Sequence, residues 1–202
     1  MRRLILILAA MACLGMTGCG GTKHMQPVDP AKVSATYDTV NSDEAAIVFF
    51  RHSVFSSVGF QGALISPGLI EADENGKLSF VAIMSKDTKY LHRTTPGRHS
   101  YFWSSGSLQG GMASYILQAD LEAGKIYYID TFVSSEGFIP VTDTSDGAFI
   151  KGLNSCRWVE NTSDGQLWFN DNLPSLQNKY TQAQGRGTIL LKPEYGATTP
   201  VQ

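Results

Sequence analysis

Tyr115-Ile116-Leu117-Gln118-Ala119-Asp120-Leu121-Glu122 decides the fold class. Tyr115, Leu117, Ala119 and Leu121 fall on one side of an extended chain, and Gln118, Asp120 and Glu122 on the other. This period of two is the mark of a strand with one dry face and one wet face. Ala123-Gly124 then turns the chain into Lys125 to Val133, where aromatic and β-branched residues occupy both faces, as suits a central strand. Upstream, Ala46-Ile47-Val48-Phe49-Phe50 is apolar throughout and predicts a strand covered on both sides. Asn75-Gly76, between Leu69-Ile70 and Leu78 to Met84, predicts a two-residue hairpin turn. Pro96-Gly97 marks another turn. After it, His99, Tyr101 and Trp103 alternate against Arg98, Ser100 and Phe102, and a Gly/Ser loop follows from Ser104 to Gly111. Thr188 to Leu191 supplies a last strand. One short C-terminal helix is expected: Asn172 as its cap, Pro174 in the first turn, Leu173, Leu176, Tyr180 and Ala183 on one side, Gly185 as its stop. Many short strands with frequent turns predict a mainly β protein, an antiparallel sandwich.

The first residues carry a different signal. Arg2 and Arg3 precede an apolar run from Leu4 to Met16, which closes as Thr17-Gly18-Cys19. A basic start, a short apolar stretch and small residues before a cut site make a secretory signal peptide, and the run is too short to span a bilayer. The stretch resembles the lipobox of bacterial lipoproteins, although Met16 stands where leucine is most common. The resemblance implies cleavage after Gly18 and acylation of Cys19. Gly20 in place of Asp implies sorting to the outer membrane, with the domain on the periplasmic side in preference to the cell surface. Lipoproteins of this kind carry two or three acyl chains, and two membrane signals suffice for firm attachment.

The expected organisation is a signal peptide over 1–18, a lipidated flexible tether over 19–42, a sandwich over 43–192 and a loose tail over 193–202. Removing the signal from the 202 residues leaves about 184, enough for one domain with a real core. The formal net charge of −2 becomes −4 once Arg2 and Arg3 leave. Such a surface argues against nucleic acid as a partner, because phosphate recognition needs a basic patch. The three cysteines are Cys13, Cys19 and Cys156. Only Cys156 would remain a thiol in the mature chain, and burial is its expected fate. Whether it also pairs between molecules is left open.

Three segments resemble the DUF2846-like group of uncharacterised bacterial lipoproteins. They are Ala46-Ile47-Val48-Phe49-Phe50-Arg51, Pro96-Gly97-Arg98-His99, and Leu121-Glu122-Ala123-Gly124-Lys125-Ile126-Tyr127-Tyr128-Ile129. The likeness runs from about Asp43 to Val133 and does not extend past Ser134. It implies a small sandwich on a lipid anchor and supplies no catalytic residue.

The constellations that carry chemistry are sparse. His92 and His99 flank the Pro96-Gly97 turn, and with Cys156 or Asp87 they could complete a zinc site. The spacing matches no established zinc pattern, so the expectation is no metal: His99 fills a sheet position and His92 is exposed. Cys156 with a histidine could form a nucleophile and base, but no flanking sequence supports it. Gly-x-Ser-x-Gly is absent. Thr144-Ser145-Asp146-Gly147 and Thr162-Ser163-Asp164-Gly165 are near copies, preceded by Asp143 and Asn161. They read as hairpin tips in preference to calcium loops. No catalytic residue and no cofactor are expected. Trp103 and Trp168 are candidates for stacking on a ligand. The function expected is a non-enzymatic, lipid-anchored binding or structural module whose partner is another envelope protein. The alternatives are a glycan- or peptidoglycan-binding module and an anchoring lipoprotein of a secretion system.

Overall fold

In the computed structural model, the described residues are 24–37, 39–52, 67–104, 113–131 and 136–201. The signal segment, Gly18, Cys19 and the Gly/Ser loop beyond Ser104 lie outside them. The protein is mainly β, with two sheets packed face to face.

The first sheet runs in the order β1 (Met25–Pro27), β10 (Arg157–Asn161), β5 (Thr88–Thr94), β2 (Ala45–Arg51), β8 (Ile126–Asp130), β9 (Ile139–Pro140). The second runs β11 (Thr188–Leu191), β7 (Ile116–Leu121), β6 (Gly97–Ser104), β3 (Gly68–Ala72), β4 (Leu78–Ile83). Both sheets are mixed. β2 lies parallel to β8, β10 to β5 and β11 to β7, while the other pairings are antiparallel.

The alternation along each strand sorts side chains into three apolar layers. Ala45, Ile47 and Phe49 of β2 meet Leu69, Tyr101, Trp103 and Leu117 of the opposite sheet in the central layer. Leu117, Ala119 and Leu121 sit there as the period of two predicts. The alternate residues of β2, Ala46, Val48 and Phe50, point the other way, towards helix α2 (Gly147–Ser155) and the chain end. On the far side, Ile70, Phe102 and Ile116 pack under helix α3 (Ser163–Gln184). Every residue of β2 is therefore buried. Phe49, with no exposed surface, contributes about 2–3 kcal/mol of hydrophobic stabilisation by itself.

Two of the turns do more than expected. Thr94 and Gly97 bound a corner that carries the chain from the first sheet to the second, so β5 and β6 do not form a hairpin. Ala123-Gly124 makes the same passage in reverse between β7 and β8, with Gly124 at a positive φ of 72°. The Asn75-Gly76 hairpin does form, between β3 and β4, but its tip spans Asp73 to Lys77. The Asp73 carboxylate accepts from the amides of Asn75 and Lys77, and this closes the longer loop.

Several boundaries shift. The stretch expected as tether joins the domain from His24 onward. β1 pairs with β10, helix α1 (Pro30–Tyr37) follows, and Tyr37 packs its ring 4.6 Å from that of Trp158. Three strand residues are too few to show a period, which is why composition alone read as linker. The tail is likewise held. Pro193–Tyr195 form a 3-10 turn, Ala197 bridges to Ile126, and the Val201 amide donates to the Tyr128 hydroxyl at 2.8 Å.

The two Thr-Ser-Asp-Gly copies are helix starts, not hairpin tips. Asp146 caps α2 by accepting from the Ala148 amide, and Thr162 sits at the cap of α3 with Asp164 in its first turn. Small hydroxyl and carboxylate side chains suit a turn and a helix N-terminus equally, since both leave amides needing acceptors. α3 accordingly starts well before Asn172 and carries Pro174 in its interior. Proline there removes one backbone donor. Asn172, expected as the cap, instead donates its side-chain amide to the Trp168 carbonyl at 2.7 Å.

Candidate functional site

Two polar clusters interrupt the apolar layers. The first lies between the sheets. Ile47 faces His92 and Phe49 faces Tyr90 across the β2–β5 ladder, so His92 points inward with the central layer. Glu71 of β3 stands opposite Tyr101 of β6, and His99 lies two residues before Tyr101 on the same face.

Glu71 Oε1 is 2.6 Å from His99 Nδ1, and Oε2 is 3.5 Å from His92 Nε2. The shorter contact is a made, charge-assisted hydrogen bond. The longer one is a charge contact, and the buried His92 Nε2 has no closer acceptor. His99 Nε2 also faces the Thr95 carbonyl at 2.8 Å. Both neighbours of the His99 ring are acceptors, so the ring carries both protons and is an imidazolium. His99 stacks on Tyr101, and His92 meets the same ring edge-on at 5.7 Å.

Burial pushes the Glu71 carboxyl up, but the two imidazoles outweigh it and hold it at about 2. The Glu71 hydrogen bond raises His99, against the opposing effect of burial. Burial first, and then the Glu71 charge, place the Tyr101 phenol well above its ordinary value. This is an ionic latch between two neighbouring strands of the second sheet, facing His92 of the first: a carboxylate, an imidazolium and a neutral phenol. His99 thus has both ring nitrogens engaged, one by Glu71 and one by the Thr95 carbonyl.

The sequence places His92 and His99 near one turn, and the structure does bring them together. The group between them is Glu71, not Cys156 or Asp87, and His92 is mostly buried, not exposed. Glu71 was legible only as an acid on the inward side of a strand, a weak signal without the register. Among the described residues no group of three or more His, Cys, Asp or Glu side chains is arranged to hold a metal ion.

The second cluster lies where the parallel strands β2 and β8 end. His52 Nδ1 is 3.1 Å from Asp130 Oδ2, and the imidazole stacks on Phe50. Gly152 of α2 presses on the same ring: a Cβ there would sit 3.2 Å away. Burial raises the Asp130 carboxyl to about 6, against the pull of His52 and Arg51. Arg51 is itself buried and donates to the Met84 carbonyl at 3.0 Å.

A His–Asp pair of this kind can orient a base towards water, a substrate group or a side-chain nucleophile. Cys156, the nearest thiol by placement, donates to the Gly152 carbonyl and is buried, and burial pushes its thiol up to about 11. It is a protonated packing residue. Ellman's reagent should leave Cys156 untouched in the folded mature chain and titrate it on unfolding. Fast reaction in native buffer would show that the thiol is accessible after all.

The stacking candidates differ in exposure: Trp103 is enclosed and Trp168 is partly buried. Trp103 is 2 % exposed in the central layer, so it reaches a ligand only if the core opens. Trp168 is wedged between layers. Its ring lies against Gly68, where a Cβ would come within 2.3 Å of it. The alternation that put Trp103 on the side of Tyr101 was the available sign of burial.

Comparisons with protein-family models, with curated proteins and with solved structures find no match.

Proposed function

We propose that the chain is a lipid-anchored protein of the cell envelope, held in the outer membrane through acylated Cys19. In this reading its domain is a non-enzymatic binding or structural module for another envelope protein. The observation that carries the proposal is the succession of Arg2-Arg3, an apolar run and Thr17-Gly18-Cys19, which is the pattern that export and lipid transfer require. The low net charge supports a protein partner over nucleic acid. The state of the polar clusters supports a non-enzymatic role, because Glu71 and His99 are spent on each other and the Cys156 thiol stays protonated. No helix among the described residues is long and apolar enough to cross a membrane, so the proposed attachment rests on the lipid alone. Of the two rings on which the glycan-binding alternative rests, Trp103 is inside the core and Trp168 is partly buried.

Cells grown with labelled palmitate test the anchor. The wild type should incorporate label and sediment with outer membranes, and Cys19→Ser should do neither. An unlabelled wild type, or undiminished label on Cys19→Ser, would overturn the proposal. Crosslinking from Leu167 and Leu190, two large side chains left more than half exposed, should then capture a discrete envelope protein.

A further inference from the structure

The outer face of the first sheet holds a cavity of roughly 130 Å³ between β2, β8, α1, α2 and the chain end. Its lining is mixed: Tyr37, Trp158, Tyr128, Leu153 and Val201 supply aromatic and apolar surface, and Lys89 and Asn154 supply polar groups. That volume is close to the ~150 Å³ of an apolar cavity able to take up benzene.

One wall carries a charge. Lys89 Nζ donates to the Leu153 carbonyl at 3.2 Å and lies 4.8 Å from the centre of the Trp158 ring. An ammonium has three donors, and here one is used on a carbonyl while a second direction is covered by an aromatic face. Lys89 makes no ion pair with a carboxylate among the described residues. The Cys156 thiol, which burial keeps protonated, is the titratable group that acts on it. Burial pulls the Lys89 ammonium below its ordinary value, the sign of a cation short of compensation. A half-buried cation with no carboxylate partner is costly unless an anion joins it.

We propose that this cavity binds a small carboxylate with an apolar body, the carboxylate on Lys89 Nζ and the body between Trp158 and Tyr128. The size limits the body to a single ring or a short chain. Pro200 and Val201 complete the lining, and the Val201 amide is tied to the Tyr128 hydroxyl. Aromatic walls with a charged group converging on them are a common form of small-molecule site.

Ligand-observed fluorine NMR on the mature full-length chain in phosphatidylcholine vesicles tests this, with 4-fluorobenzoate and the neutral 4-fluorobenzyl alcohol as probes. The wild type should broaden the benzoate signal saturably and bind it about tenfold more tightly than the alcohol, as a charge-assisted hydrogen bond implies. Lys89→Met should erase that preference and Lys89→Arg should keep it. Leu153→Trp, which fills the hollow, should abolish binding of both probes. Melting curves followed by circular dichroism establish which variants are folded. No saturable binding to the wild type overturns the proposal. So does a folded Lys89→Met chain that still prefers the benzoate, or a folded Leu153→Trp chain that binds as before. Loss of the lipid anchor in the palmitate experiment would leave this site intact, so the two proposals fail separately.

Discussion

Gly137→Ala is expected to destabilise the domain by roughly 2–5 kcal/mol, most of it from overpacking a closed core. Gly137 has a positive φ of 84°, a region that costs an L side chain about 1–2 kcal/mol. The added Cβ would also lie 1.9 Å from Trp103 Nε1 and 2.4 Å from the Ser114 side chain. Trp103 cannot retreat, because it is enclosed in the layer between the sheets. Gly147→Ala is the matched control: a Cβ there meets nothing within 4 Å, and its effect should stay within about 0.5 kcal/mol. Urea unfolding followed by circular dichroism reads both. Equal midpoints for the two variants would show that Trp103 is not confined as described.

Glu71→Gln should cost about 2–3 kcal/mol near pH 5.5 and should change the shape of the pH–stability curve. The depressed Glu71 carboxyl contributes stability above its ordinary value of 4.5 and loses it as pH falls towards about 2. The raised His99 contributes fully below its ordinary value of 6.5, and that share is lost as pH climbs through its folded value. The latch is therefore complete between about pH 4.5 and 6.5 and weakens on both sides. Glutamine keeps the shape and removes the charge, so both slopes should flatten. Unfolding midpoints taken from pH 3 to 9 on the two proteins decide it. Parallel curves would mean that the carboxylate adds nothing across the sheets.

The latch shows why part of a site can be read from a sequence and part cannot. His92 and His99 drew notice because a short turn separates them. Glu71 did not, because it reaches them only through the pairing of β3 with β6 and the stacking of one sheet on the other. Asp130 and His52 were hidden for the same reason: they meet where two parallel strands end, and a parallel pair joins residues distant in the chain. The near copies around Asp146 and Asp164 were visible as amide-capping sequences, but local chemistry does not choose between a turn and a helix start. The faces of α2 and α3 settle that choice by burying apolar residues such as Leu153, Phe169 and Leu176.

By itself, the sequence determined the β character and the inward faces. Ala45 to Phe50 of β2 is wholly apolar, Leu117, Ala119 and Leu121 share one side, and β11 begins and ends where expected, because side-chain period and backbone geometry are local properties. The proposed export signal and lipid site at Cys19 are read from local pattern in the same sense. Tertiary structure alone decided that the sheets are mixed, that His24 to Tyr37 and the chain end belong to the domain, and that Trp103 is core. It alone placed Glu71 between two histidines and Lys89 over a hollow. Each of these depends on which strands become neighbours, and that is set by the free energy of burying all three apolar layers together.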